Sequence, residues 1–123
     1  MPQFPIQTET PHSAEFILTE ANGYRSRENA FLAHPVTVRV GQPLKAGAAP
    51  TTDKPQTFTL AVTAADCDAI AIYAGTSQNP TDGLRIAVIA RDAEVNGKLV
   101  SWGTIDGFAG ATQLALRGIV VRN

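Results

Sequence analysis

The chain has 123 residues, 44% of them hydrophobic and 17% charged, enough apolar material for one domain with a real core and too much for a disordered chain. Its 10 Lys and Arg against 11 Asp and Glu leave a net charge of −1, which excludes the strongly basic footprint of a dedicated nucleic-acid binder and the polybasic cluster of a membrane clamp. One cysteine, Cys67, rules out an internal disulfide framework and a cysteine-based zinc cage, and His12 and His34 are too few for a His-rich metal site.

Residues 1 to 13 hold Pro2, Pro5 and Pro11 among Gln, Thr and Glu. Proline removes a backbone donor and pushes its predecessor toward extended geometry, so this stretch is expected to be an extended arm. Phe4 and Ile6 are its only large apolar side chains, which suits docking on another surface and a frayed terminus equally well. Met1-Pro2-Gln3-Phe4-Pro5 lacks the charged and apolar parts of a signal peptide, and no apolar run approaches the roughly 18 residues that a membrane-spanning helix needs. The expectation is a protein made and folded in a cytoplasm.

Glu15-Phe16-Ile17-Leu18 is a short apolar extended run, ended by the turn signal Asn22-Gly23. The stretch 24–35 is mixed and closes at Pro35. Val36-Thr37-Val38-Arg39-Val40 alternates with period two and reads as a strand ended by Gly41 and Pro43. Leu44 to Gln56, with Gly47, Pro50 and Pro55, reads as loop. Phe58, Leu60 and Val62 alternate with threonines as a strand, and Asp68 to Tyr73 repeats the pattern with Ile70 and Ile72 inward. Thr76 to Gly83 is a polar turn. Leu84 to Ala90 reads as a central strand, and Asn96-Gly97 as a hairpin turn joining it to Leu99-Val100-Ser101-Trp102. Ala111 to Arg117 is a short helix stopped by Gly118, and Ile119 to Arg122 a last strand. The whole predicts a β-rich α+β fold: a small single domain of mostly antiparallel strands with one short C-terminal helix. The boundary falls between an extended N-terminal arm, 1–18, and a β-rich domain, 19–123.

No catalytic motif emerges. Asp66 and Asp68 share one face of an extended chain and so could hold a hard cation, but the other ligands of a calcium loop are absent, and turn or strand-start roles fit them better. Asp92 and Glu94 repeat that spacing beside Arg91, where a surface or inter-subunit ion pair is simpler than a carboxylate pair for hydrolysis. Cys67 has small apolar neighbours and no adjacent base, which favours an inert packing thiol. The serines sit in no Gly-x-Ser-x-Gly elbow, and the glycines form no phosphate loop. The expectation is no enzyme, no cofactor and no bound metal, and weight moves to a structural or binding role.

Several blocks resemble tailed-phage head decoration proteins, the group that contains the decoration protein of phage lambda. They are Ala14 to Gly23 with Ser26-Arg27-Glu28, Val36-Thr37-Val38, Gly41-Gln42, Leu44 to Gly47, Ala87 to Asn96, and Leu116 to Arg122. They keep their order from residue 14 to 122. Residues 29–35 look like an insertion against that pattern, and the path after Gly47 departs from it.

The resemblance implies a homotrimer on the outer surface of the virion capsid, with the major capsid protein as partner and neither nucleic acid nor membrane touched directly. Such trimers bind expanded heads at threefold and quasi-threefold sites and hold them against the pressure of packaged DNA. It also implies that the arm orders on the shell and adds a strand to a capsid-protein edge. Phe4, Ile6, Phe16, Ile17 and Leu18 are the expected capsid-facing anchors. The alternative is a virion-displayed or secreted carbohydrate-binding module, which would present an exposed aromatic patch around Trp102 or Tyr73.

Overall fold

In the computed structural model, which describes residues 14–21, 25–32, 37–47, 49, 52, 55–76 and 84–123, strands dominate and a single α-helix lies near the C-terminus. The strands are β1 (Ile17–Glu20), β2 (Arg27–Leu32), β3 (Thr37–Val38), β4 (Pro43–Ala46), β5 (Gln56–Leu60), β6 (Ala69–Ala71), β7 (Gly75–Thr76), β8 (Leu84–Ile89), β9 (Ala93–Asn96) and β10 (Ile119–Arg122); the helix is α1 (Gly107–Ala115). Strands β2-β5-β4-β6-β8 close into a barrel, β1-β9-β10 form an open sheet, and β3 pairs with β7. Pairing is antiparallel except for β2 with β5 and β9 with β10.

Two cores result, and the period-two alternation of β6 divides its residues between them. Ala69 and Ala71 point into the barrel with Ala30, Leu32, Leu44, Phe58 and Val88. Ile70 and Ile72 point out of it, into a second core with Phe16, Ile89, Val95, Leu114 and Ile119. A barrel of five strands leaves a narrow interior, so small alanines face inward and the bulky isoleucines go outside. Each fully buried isoleucine contributes about 1.5–3 kcal/mol through removal of apolar surface from water.

The second core is closed by α1. The Asp106 carboxylate caps its N-terminus, accepting from Phe108 N at 3.1 Å, and Gly118, at φ 77°, turns the chain out of the helix and into β10. Gly118 backs onto Asp92, itself at φ 49°, and a Cβ at position 118 would lie 2.8 Å from the Asp92 Oδ1. The buried Ser26 hydroxyl locks the same corner, donating to Asp92 O at 2.7 Å and accepting from Ala21 N at 2.8 Å.

Several local expectations are corrected. Leu44 to Gln56 is not all loop: Pro43–Ala46 is a barrel strand, where Pro43, which has no N–H to donate, still accepts through its carbonyl from Ala61 N at 3.1 Å, as Leu44 O does from Asp68 N at 2.9 Å. The strand expected over 36–40 is reduced to Thr37–Val38. The mixed stretch 24–35 contains β2, whose Ala30 and Leu32 fill the barrel while Arg27 and Glu28 make ion pairs.

Asn96-Gly97 makes no hairpin. The Asn96 side chain accepts from Lys98 N at 3.0 Å and starts a 3₁₀ turn over Gly97–Leu99, and β8 and β9 belong to different sheets. Helix α1 begins at Gly107, earlier than expected. The Asn22-Gly23 turn, Val36, most of the 76–83 turn, His12, His34 and residues 1–13 of the arm lie outside the described residues.

Candidate functional site

The expected anchors divide sharply. Phe4 and Ile6 lie outside the described residues. Phe16 is fully buried in the second core, so in the folded subunit it packs inward and cannot face a partner. Ile17 is half-buried against the same core, and Leu18 is 51% exposed. Residues 14–18, expected in the arm, are part of the folded domain: Ala14 N donates to Ile72 O at 3.1 Å, and β1 begins at Ile17. Phe16 O then accepts from Asn96 N at 2.7 Å, tying this segment to β9.

The open sheet presents an outer face built on β9. Glu94 stands in its middle, flanked in register by Thr19 on β1 and Val120 on β10. The Glu94 carboxylate accepts from Thr19 Oγ1 at 2.8 Å and from Arg122 Nε at 2.9 Å, and lies 2.7 Å from Arg122 Nη2. These hydrogen bonds, that from Arg122 foremost, hold its carboxyl below the usual glutamate range. Glu20 is held low in the same way by a bidentate bond from Arg27, at 2.7 and 2.9 Å.

The acidic pairs singled out in the sequence do not converge on a reaction centre. Asp66 pairs with Lys45 at 3.8 Å, whereas Asp68 accepts from Ala46 N at 2.8 Å and from Arg117 at 3.1 Å. Glu94 belongs to Arg122, and Arg91 reaches back to Glu28 and to Arg25 O instead. No group of three or more His, Cys, Asp or Glu set to hold a metal occurs among the described residues. Cys67 is buried, and burial, followed by the charges of Asp66 and Asp68, pushes its thiol up to about 11. None of the described helices is long and apolar enough to cross a membrane.

Trp102 and Tyr73 form no common patch. Trp102 lies half-buried against Gly107 and Gly110 of α1, its indole N–H donating to Gly97 O at 3.3 Å. Tyr73 is exposed on the barrel, lining an open groove of about 590 Å³ with Asn29, Pro55, Leu84, Arg85 and Ile86. Exposed apolar side chains that sequence patterning missed are Val62, Phe108, Leu116 and Val120. The i, i+8 spacing of Phe108 and Leu116 signals a shared helix face, but the helix start was hidden by Gly107. Val120 was hidden because an Ile-Val-Val run carries no polar residue to mark its outer face.

The described residues thus form a β-rich domain with ion pairs on its surface and a buried thiol. Bacteriophage lambda head decoration protein D is the family whose model matches this chain, over residues 6–116, and the chain belongs to that family. It is therefore a phage head decoration protein, a structural component of the virion acting at the exterior of the capsid. No curated protein and no solved structure matches it.

Proposed function

We propose that this protein binds as trimers to the outside of the expanded phage head, at threefold and quasi-threefold positions of the major capsid protein, and stabilises the shell against the pressure of packaged DNA. The family match over residues 6–116 carries this reading. The mechanism is linkage: a ligand that binds only the assembled, expanded shell raises the free energy needed to disrupt it. Three arms on one trimer turn weak single contacts into strong attachment, because the second and third arms bind at high effective concentration.

In this reading residues 1–13, with Phe4 and Ile6, form the capsid-binding arm and pair with a capsid-protein edge by strand addition. Leu18 stands at the arm's exposed root. Phe16 and Ile17 serve it from inside the fold, fixing the root to the second core so that an anchored arm holds the whole domain.

The test is co-sedimentation of the full chain, and of a variant lacking residues 1–13, with expanded and unexpanded heads of the source phage. The full chain is expected to saturate expanded heads alone, at a multiple of three copies. The truncated protein, which keeps Phe16 and all of β1, is expected to retain the circular dichroism of the full chain and fail to bind. Full decoration by the truncated protein would overturn the arm's role, and no binding of the full chain to either head would overturn the function.

A further inference from the structure

We propose that Asn96-Gly97 is a chemical modification site that the fold holds shut, deamidating only in subunits whose β10 has lifted from β9.

The chemistry lies in the sequence. In an Asn-Gly pair the glycine has no side chain to hinder its nitrogen on the way to the asparagine Cγ. Attack of Gly97 N on that carbon closes a five-membered succinimide. A new N–Cγ bond forms, the Cγ–Nδ2 bond breaks, and the amide leaves as ammonia with the proton of the Gly97 N–H. Water then opens the ring at either carbonyl, giving aspartate or isoaspartate.

Geometry blocks the first step. The ring closes only when the Gly97 nitrogen swings to the Cβ side of Asn96, and a ψ of 110° turns it to the other side. The ends of that rotation are tied down. Asn96 N donates to Phe16 O at 2.7 Å, and Lys98 N donates to the Asn96 Oδ1 at 3.0 Å. Further on, the Trp102 indole N–H donates to Gly97 O at 3.3 Å, and Leu99 and Val100 pack in the second core. The turn over 97–99 cannot follow the rotation while that core is closed.

Strand β10 is the cover. Gly97 is buried, and a Cβ there would lie 2.4 Å from Asn123 Oδ1 and 2.7 Å from Val121 Cγ1, so these side chains leave the peptide no room to turn. Arg122 stands beside Asn96 in the parallel register of β9 and β10. Among the described residues β10 is an outer strand of its sheet, paired on one side alone, so it is the wall that opens at least cost.

The product is one-way. Isoaspartate at position 96 carries the backbone through the former side chain and adds one carbon between β9 and the turn. Arg122 and Gly97 cannot then both regain their native places, and a subunit that has opened stays marked.

The test follows the full chain through long incubation in mildly alkaline buffer. Trypsin cuts after Arg91 and Lys98, so fragment 92–98 reports Asn96 apart from Asn22-Gly23, the chain's other such pair. Its mass and isoaspartate content are measured for the native chain, for the chain unfolded in guanidinium chloride, and for native Val121→Ala, which thins the cover. Expected is a native rate at least about a hundredfold below the unfolded one, with Val121→Ala about tenfold faster than native wild type.

Equal rates in native and unfolded wild type would overturn the proposal without any variant. A Val121→Ala chain that keeps its circular dichroism and deamidates no faster than wild type would overturn the part given to β10. Should Val121→Ala unfold, Asn123→Ala removes the other covering side chain from an exposed position, and the same comparison decides.

Discussion

At Cys67, burial settles the chemistry. Its Sγ points at Thr63 O, 3.7 Å away, and the side chain has no exposure. Loss of water, with Asp66 and Asp68 adding negative charge nearby, raises the thiol to about 11 against an ordinary value of about 8.5. At pH 8 the reactive thiolate is then far scarcer than in a free cysteine. The native protein is expected to react with Ellman's reagent orders of magnitude more slowly than in denaturant, where one thiol per chain is released. Equal rates in the two conditions would mean that Cys67 is accessible and the second core is open there. The small Ala64, Ala65 and Ala69 made an inert thiol legible in the sequence, whereas the charge of the adjoining Asp66 and Asp68 is a further cause that the sequence reading did not use. The ion pairs were legible in kind and not in partner: Arg91 adjoins Asp92 in the chain, but the strand turns its guanidinium toward Glu28 on the neighbouring β2.

Among the elements, those read correctly are the ones whose residues obey a single demand. Thr57 to Leu60 alternates because only one face of β5 meets the barrel core, and β6 and β8 carry apolar runs because both of their faces are buried. Misreadings fall where one residue serves tertiary contact. Gly97 suggested a hairpin, yet it is small because the chain's end passes over it: a Cβ there would lie 2.4 Å from Asn123 Oδ1 and 2.7 Å from Val121 Cγ1. Gly110 disguised the helix for a similar reason, since a Cβ would lie 2.6 Å from Trp102 Cζ3. That contact yields a prediction. In an isolated helix Gly→Ala is worth up to about 1 kcal/mol in favour of alanine, whereas crowding a packed aromatic costs about 1–3 kcal/mol. Gly110→Ala is therefore expected to destabilise the protein by about 1 kcal/mol, seen as a lower urea midpoint, with Trp102 fluorescence altered in the native state. A stabilised variant with unchanged fluorescence would show that the indole yields freely. The candidate site was legible only in part: its apolar run at 16–18 was visible, but which of the three faces outward depends on the β1–β9 register, a pairing across more than 70 residues.

On the scale of the whole molecule, the two cores share β6 and β8, whose alternate residues belong to one core and then the other. Neither core can lose its wall without the other losing one too, so the domain should unfold as one unit. The chain carries its own reporter, since its one tryptophan, Trp102, packs on the second core. Leu44 is fully buried in the barrel and contributes nothing to that second core. Leu44→Ala leaves a cavity in the barrel and is expected to cost about 2–5 kcal/mol. If the cores are coupled, that loss lowers the midpoint of Trp102 fluorescence as far as it lowers the midpoint of far-ultraviolet circular dichroism. A fluorescence transition that stays at the wild-type midpoint while the dichroism shifts would separate the barrel from the open sheet. Coincident transitions make the subunit one cooperative unit.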